Sequence, residues 1–396
     1  MNREEVLMTN KNILIAGGSI AGTALAFWLA RGGFSVTLVE LAPALRQGGQ
    51  GVDVRDQAIE VVERMGLMGV VRGRSVDDIG ANFVNARNRV IGSLDLQAIQ
   101  QEGGGAAEIR RGELAQLLYE NTLDRVEYIF GNAISGIEQD ETGVDITFEH
   151  GPPRRFDLVI GADGFHSGVR RIVFGPSNQF VRFKEHYFAV AKAGTPLAEA
   201  RRSTIYNEPG KSVMVQSAGN AAPMTYFAFH QKEPLEYHYR DIEHQRQILR
   251  NALKGVGWET SMLLEQADVD PHFYLDAQAQ IVMPGWSKGR VVLAGDAAHC
   301  ASPFSGAGGL LALVGTYRLA GELVAAAGDH RQAFTKYEIG QRPLVLEKQG
   351  HLFTGMFVPR TWLGIKVRNG LVRSGLLRRA FGLNPKKIDS LPDYGM

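Results

Sequence analysis

Several things this 396-residue chain lacks bound what it can be. It has one cysteine, Cys300, so no disulfide forms within the chain and a reducing cytoplasm is the expected setting. Its net charge is +1, from 43 basic and 42 acidic residues, so no global field draws it to nucleic acid. No His, Cys and Asp cluster has metal-ligand spacing, so no metal is expected. Only one stretch, Ile13 to Ala30, imitates a signal peptide or a membrane span. Gly17, Gly18, Ser19 and Gly22 interrupt it, and a second strand-like run, Phe34 to Val39, follows Arg31-Gly32-Gly33. A strand, a tight turn and a buried helix explain that pattern better than a membrane segment. Met8 is a second candidate start, because residues 1–7 carry no pattern.

What is present is glycine, 47 residues of it, some of them in motif-bearing turns. Asn12–Ala16 reads as an apolar strand. It enters Gly17-Gly18-Ser19-Ile20-Ala21-Gly22 and then a helix bearing Leu25, Ala26 and Leu29. This is a dinucleotide fingerprint with Ser19 in place of the second glycine. Gly17 permits the turn, Gly22 lets the helix pack on the strand, and Ser19 stays small where the backbone meets a pyrophosphate. Glu40 ends the next strand, placed to accept from ribose hydroxyls.

A second nucleotide-type element reads Phe156 to Gly161, a buried strand, closed by Ala162-Asp163-Gly164. A third runs from Arg290 to Gly309: Val291–Leu293 as a strand, Gly295-Asp296 at its end, then a Pro-containing loop and a Gly-rich helix start. Asp296 is suited to accept from sugar hydroxyls, and the Ser305–Gly309 amides to face the electron-rich end of a ring, where a helix dipole favours negative charge. Ile109 to Leu114 reads as a helix opening that continues through Leu117, Leu118 and Leu123.

Together these segments resemble the FAD-dependent aromatic hydroxylases, the flavin monooxygenases related to p-hydroxybenzoate hydroxylase, and especially their polyketide-hydroxylating and tetracycline-inactivating members. The resemblance implies cofactor contacts from Arg46 and Asp53 in the glycine-rich loop Arg46–Val54. It implies another from Arg111, ahead of Glu113-Leu114, and from Asp163 and Gly164, which serve FAD and NAD(P)H in that family. Asp296 would bind the ribityl chain, and Pro303, Gly306, Ala307 and Gly308 would approach the flavin ring. The match fades at Leu310 and Gly315, where the family often has Asn and an acidic residue. His299 beside the motif is read as structural.

The resemblance further implies that NAD(P)H reduces the flavin, that O2 adds to it, and that a flavin hydroperoxide passes one oxygen atom to a phenolic or polycyclic aromatic substrate. Met224, Tyr226 and Phe229, with Phe304 near the ring, are the expected cavity wall. Two rival readings are an FAD-dependent reductase of similar architecture and a non-catalytic flavin-binding protein. A flavin halogenase is disfavoured because the four tryptophans are isolated.

The expected fold is α/β: a discontinuous Rossmann-like FAD-binding domain (1–74, 100–179 and 276–332), an antiparallel substrate-binding sheet (75–99 and 180–275) and a C-terminal helical region (333–396). Strands are expected at Tyr187–Lys192, Ser203–Tyr206, Val213–Gln216 and Met224–His230, with one or two more from residues 75–99. A helix is expected at Tyr239–Val256, and a hairpin at 134–149 turning at Thr142-Gly143. Pro343 and Pro359 are expected to break the C-terminal helices. The basic stretch that carries Lys366, Arg368, Arg373, Arg378, Arg379, Lys386 and Lys387 reads as a helix packed on the body rather than a membrane contact.

Overall fold

Strand β1 (Asn12–Ala16) runs into α1 (Ile20–Arg31), and β2 (Ser35–Glu40) returns parallel to β1. Ile13, Leu14 and Ile15 are fully buried, which explains why the strand reads as a continuous apolar run instead of an alternating one. The computed structural model describes residues 8–46, 49–76, 79–95, 106–194, 197, 201–218, 221–350, 354–373 and 389–396. Residues 1–7, and Arg378, Arg379, Lys386 and Lys387 of the basic stretch, lie outside the described residues.

The chain continues through β3 (Gly51–Val54), α2 (Gln57–Arg64), α3 (Met68–Gly73), β4 (Gly80–Val84), β5 (Val90–Asp95), β6 (Ala107–Arg110) and α4 (Arg111–Glu120). Next come β7 (Val126–Phe130), β8 (Ile134–Gln139), β9 (Val144–Phe148), β10 (Arg154–Phe156), β11 (Leu158–Gly161) and α5 (Gly168–Phe174). Four long strands follow: β12 (Val181–Lys192), β13 (Arg202–Glu208), β14 (Lys211–Ala218) and β15 (Ala221–His230). Helices α6 (Ile242–Leu253) and α7 (Thr260–Val269) precede β16 (Tyr274–Ile281), β17 (Ser287–Lys288) and β18 (Val291–Leu293). The remainder is helical: α8 (Asp296–His299), α9 (Gly308–Ala325), α10 (His330–Gly350), α11 (Thr354–Phe357) and α12 (Trp362–Arg373).

Two sheets organise the molecule. A six-stranded sheet has the order β17-β18-β11-β1-β2-β7, and β18, β11, β1, β2 and β7 run parallel. Because β11, β1 and β18 are near neighbours, their carboxyl ends bring residues near 17, 163 and 296 to one edge. A seven-stranded sheet has the order β16-β12-β15-β14-β13-β4-β5 and is antiparallel except for the β13–β4 pair. One of its faces packs on α6 and α7 through Tyr187, Phe227, Phe229, Leu249, Leu263 and Leu275. The fold is the expected α/β architecture with a second, largely antiparallel sheet and C-terminal helices.

Several local expectations change. Arg46–Val54 is not loop throughout: Gly51–Val54 pairs as β3 with β6, while Gln47 and Gly48 lie outside the described residues. Ile109 and Arg110 belong to that ribbon, so the helix starts at Arg111 and ends before Leu123. Phe156 and Gly161 sit in different sheets, separated at Asp157, whose carboxylate accepts from the Asn12 amide at 2.8 Å. Tyr239–Val256 yields the shorter α6, and a further helix, α7, follows. Pro343 does not break α10, which is pinned along its length by buried Phe334, Tyr337, Gln341 and Val345. The 134–149 hairpin forms with its turn at Asp140–Gly143.

Candidate active site

The fingerprint turn is held by contact distances only glycine satisfies. A Cβ on Gly17 would lie 2.5 Å from the Ala162 carbonyl oxygen and 2.7 Å from Asp163 Cα. One on Gly22 would lie 1.8 Å from the Gly17 carbonyl oxygen. Both obstacles are backbone, so no rotamer change removes them. Ile20 and Ala21 are buried behind the turn. The Gly18 amide donates to Glu40 Oε2 at 2.6 Å and the Ala42 amide to Oε1 at 2.9 Å, fixing the carboxylate at the end of β2.

Ser19 is met by Arg111. Its Nε and Nη2 donate to Ser19 Oγ at 3.0 and 2.8 Å, and the Arg111 amide donates to the Gln50 carbonyl at 3.0 Å. Arg111 thus stands at the first turn of α4 and reaches across to the fingerprint. Arg110, its neighbour, points elsewhere, donating to the Ala222 carbonyl.

The second element is capped from within. Asp163 accepts from Ser167 Oγ at 2.5 Å and the Val169 amide at 3.0 Å, so its carboxylate anchors the start of α5. Burial raises its pKa against those bonds. Arg170, fully buried, joins the second element to the third by donating to the Phe165 and Ala297 carbonyls. The sequence reading gave this arginine no role.

In the third element Asp296 opens α8, and burial raises its pKa while the Arg111 charge opposes the rise. Gly306 sits at φ +60, the left-handed conformation that ends the short turn Pro303–Ser305. Pro303 and Gly308 are exposed and Ala307 is buried. Arg55 Nη2 donates to the Gly306 carbonyl at 3.0 Å while Arg55 Nη1 lies 3.7 Å from Asp53, binding β3 to this turn. The amides of Gly308 and Gly309 precede the first intrahelical bond of α9, from the Leu311 amide to the Ala307 carbonyl, and so belong to a helix's unpaired first turn. Gly309 packs on Val52, where a Cβ would fall 2.2 Å from Cγ1. Leu310 is 1 % exposed and Gly315 packs on Gln341, so both departures from the family pattern lie inside the core.

His299 is buried with Nε2 3.2 Å from the Tyr337 hydroxyl, and burial lowers its pKa to about 3. It stays neutral, as a structural residue.

The free face of the seven-stranded sheet covers this edge. Phe188, Tyr226, Tyr274 and Asp276 share that face by strand alternation. Phe188 lies 5.8 Å from the Tyr274 ring and 6.4 Å from Phe304, which stacks on Phe357 at 6.2 Å. Tyr226 donates to Gln216 Oε1 at 3.0 Å, and Tyr274 to Gln50 Oε1 at 2.6 Å. Burial holds both phenols well above their usual range, hence protonated. Met224, two residues from Tyr226, shares the same face and is buried. Phe229 does not. It is odd-numbered on β15, stacks on Tyr187 at 5.5 Å and belongs to the core under α6 and α7. Period-two alternation already separates 224 and 226 from 229, a signal the sequence reading left unused. Phe188 was missed because its strand was read as a run rather than as two faces, and Tyr274 and Asp276 because the strand that carries them, β16, was not expected.

Asp53, Asp163, Tyr226, Tyr274 and Asp296 are half-buried, Asp53 with 42 % of its side chain exposed. They border the junction between the carboxyl edge of the six-stranded sheet and the seven-stranded sheet, which Arg55, Gln50 and Phe304 bridge. Arg46 is exposed at its rim, close enough for its charge to act on Tyr274. A glycine cradle, two carboxylates, first-turn amides and an aromatic wall along one junction fit a long, partly anionic nucleotide with a planar ring.

Comparison with known proteins bears this out. Residues 10–342 match the family model described as FAD binding domain. An uncharacterized protein of Mycobacterium tuberculosis is 40% identical over 331 residues, covering 83% of this chain and 88% of its own. A flavin-dependent monooxygenase of Legionella longbeachae is 33% identical over 336 residues, covering 85% and 86%. The crystal structure of tetracycline destructase Tet(51) superposes with a TM-score of 0.83 at 33% identity, covering 98% of this chain and all of the other. The chain therefore belongs to this FAD-binding family and is a flavin-dependent monooxygenase.

Proposed function

We propose that the enzyme, with electrons from NAD(P)H, transfers one atom of O2 to a phenolic or polycyclic aromatic substrate held between the flavin ring and the seven-stranded sheet. The observation that carries the proposal is the aromatic wall Phe188–Tyr274–Phe304 set beside Asp296 and the Gly306 turn. A tetracycline destructase is among the similar structures, so planar polyketides are the first substrate class to test and simple phenols the second.

In this proposal Gly17, Ser19, Ile20, Ala21, Gly22 and Glu40 hold the adenosine and pyrophosphate end, with Arg111 supplying positive charge. Asp163 and Gly164 shape the adjoining turn. Asp296 takes the ribityl hydroxyls, and Pro303, Gly306, Ala307 and Gly308 meet the ring, flanked by Asp53 and Arg46. The bound flavin supplies the redox chemistry, accepting electrons and activating oxygen. The protein does the rest. First-turn amides of α9 and the positive end of its dipole face the ring edge where negative charge gathers. Met224, Phe188, Phe304 and Phe357 exclude water from the place where oxygen is transferred. Tyr226 and Tyr274, kept protonated by burial, offer neutral polar groups for orienting a substrate without ionising. The six-stranded sheet is the cofactor-binding part and the seven-stranded sheet the substrate-binding part, in a reducing cytoplasmic setting.

The test uses the FAD-loaded enzyme, NADPH or NADH, and a library of phenols and tetracyclines under isotopically heavy O2. A product heavier by one labelled oxygen is expected. Nicotinamide consumption without label in any organic product would assign a reductase instead.

A further inference from the structure

From Lys348 to Ile388 the chain holds nine lysines and arginines and no acidic residue, although its total charge is only +1. The remainder of the molecule is therefore net acidic, and this one segment is strongly basic. Within it, α12 is packed on the seven-stranded sheet by Ile365, Arg368 and Val372. Arg368 lies over the Phe83 ring at 4.0 Å and donates to Asn207 Oδ1 at 2.7 Å. That face is occupied.

The opposite face is apolar where a solvated helix would be polar. Helical spacing of 100° per residue places Leu363, Val367 and Gly370 at its centre, with Leu371 on one flank and Trp362, Lys366 and Arg373 on the other. Leu363 is 71% exposed, Trp362 58% and Val367 54%. Phe357, in α11 just before, is also exposed and stacks on Phe304 of the third element. No helix among the described residues is long and apolar enough to cross a membrane.

We propose that α12 is a peripheral docking face for an anionic lipid bilayer. Leu363, Val367 and Trp362 enter the headgroup boundary, and Lys366 and Arg373 face the lipid phosphates. The chemistry selects this partner. An apolar strip flanked by cations is how an interfacial helix lies on a charged membrane. A second copy of the same chain would bring like charge against like charge, and nucleic acid gives the apolar strip nothing to meet. The packed inner face agrees with the helix expected on the body; the outer face adds a lipid contact the sequence reading set aside. The inference stands apart from the proposed reaction, since lipid binding is measured without turnover.

The experiment is sedimentation of the full FAD-loaded chain with vesicles of phosphatidylcholine, with and without phosphatidylglycerol, at low and raised salt. Binding is expected only to the anionic vesicles and is expected to weaken with salt. Lys366→Gln should bind about five-fold more weakly, the effect of one cation near a charged surface. Leu363→Ser and Val367→Ser should weaken binding further while FAD content and melting temperature stay unchanged, since both side chains point away from the core. Trp362 emission should be quenched by brominated lipid, and the quenched component should vanish in Trp362→Phe. No pelleting, or equal pelleting with neutral vesicles, overturns the proposal. So does a dimer in analytical ultracentrifugation that dissociates in Leu363→Ser without any vesicle effect, because it assigns the face to a second copy.

Discussion

Arg111 donates from two nitrogens to the hydroxyl of Ser19, at 3.0 and 2.8 Å, across 92 residues of sequence. Ser19 is the position where the dinucleotide fingerprint departs from glycine, so the departure has a partner. The guanidinium is parked on the turn proposed to meet the pyrophosphate, and its charge also acts on Asp296 and Tyr274. Arg111→Ala should weaken FAD binding roughly ten- to a hundred-fold, the range for losing a charge-assisted hydrogen bond to phosphate. Ser19→Gly should leave affinity within about three-fold, because the backbone amides remain. Fluorescence titration of the apoprotein with FAD decides both; unaltered affinity and kinetics in Arg111→Ala would make the arginine a surface residue.

Burial raises the pKa of Asp296, so its ionised carboxylate is disfavoured in the folded protein. A group with a raised folded pKa stabilises the fold below its unfolded pKa, and that contribution is lost as pH rises through the folded value. Asp296→Asn should therefore melt at the same temperature as wild-type apoprotein, or higher, at neutral pH. Asp296→Ala should retain little FAD after dialysis. A variant that stays fully yellow would remove Asp296 from the cofactor contacts.

His299 gives a pH dependence of known sign. Its folded pKa is lowered by burial to about 3 against an ordinary value of 6.5. Between those values the unfolded chain binds a proton that the folded one refuses, so stability falls as pH drops below about 6.5. The slope from this one group is about 1.4 kcal/mol per pH unit. His299→Gln should flatten that part of the curve in denaturant melts taken from neutral to acidic pH. An unchanged slope would show that other groups set it.

The glycine cradle is tested by Gly22→Ala. Its methyl group would meet the Gly17 carbonyl, a backbone atom that cannot rotate aside. A loss of about 2–4 kcal/mol is expected, with FAD binding lost in parallel. Wild-type melting and full cofactor content would mean that α1 shifts freely, against the observed packing.

Tyr226 and Phe229 lie three residues apart on β15 and should respond oppositely. Tyr226→Phe removes the bond to Gln216 and should raise the KM of an aromatic substrate by about three- to ten-fold with little change in melting. Phe229→Leu should cost roughly 1–2 kcal/mol of stability and leave KM alone, because that ring is locked in the core against Tyr187. Equal effects on KM would place both rings at the cavity.

The amino-acid sequence determined the local chemistry here. Gly17, Gly22 and Glu40 are legible because a turn, a close backbone approach and a strand-end carboxylate each demand a residue type at fixed spacing. Asp296 and Gly306 are legible for the same reason. What sequence spacing does not contain is register across the sheet. Only the parallel pairing of β1 with β11, and of β11 with β18, sets Gly17, Asp163 and Asp296 side by side, since those contacts span more than a hundred residues. Alternation along β15 already separates Tyr226 from Phe229; only the packing of its sheet decided which of the two meets the third element and which the core under α6 and α7. Burial then turned Asp163 into a helix anchor and His299 into a neutral strut. Residue type is a local property; which charge loses its water, and which ring meets which, depends on neighbours supplied by distant chain.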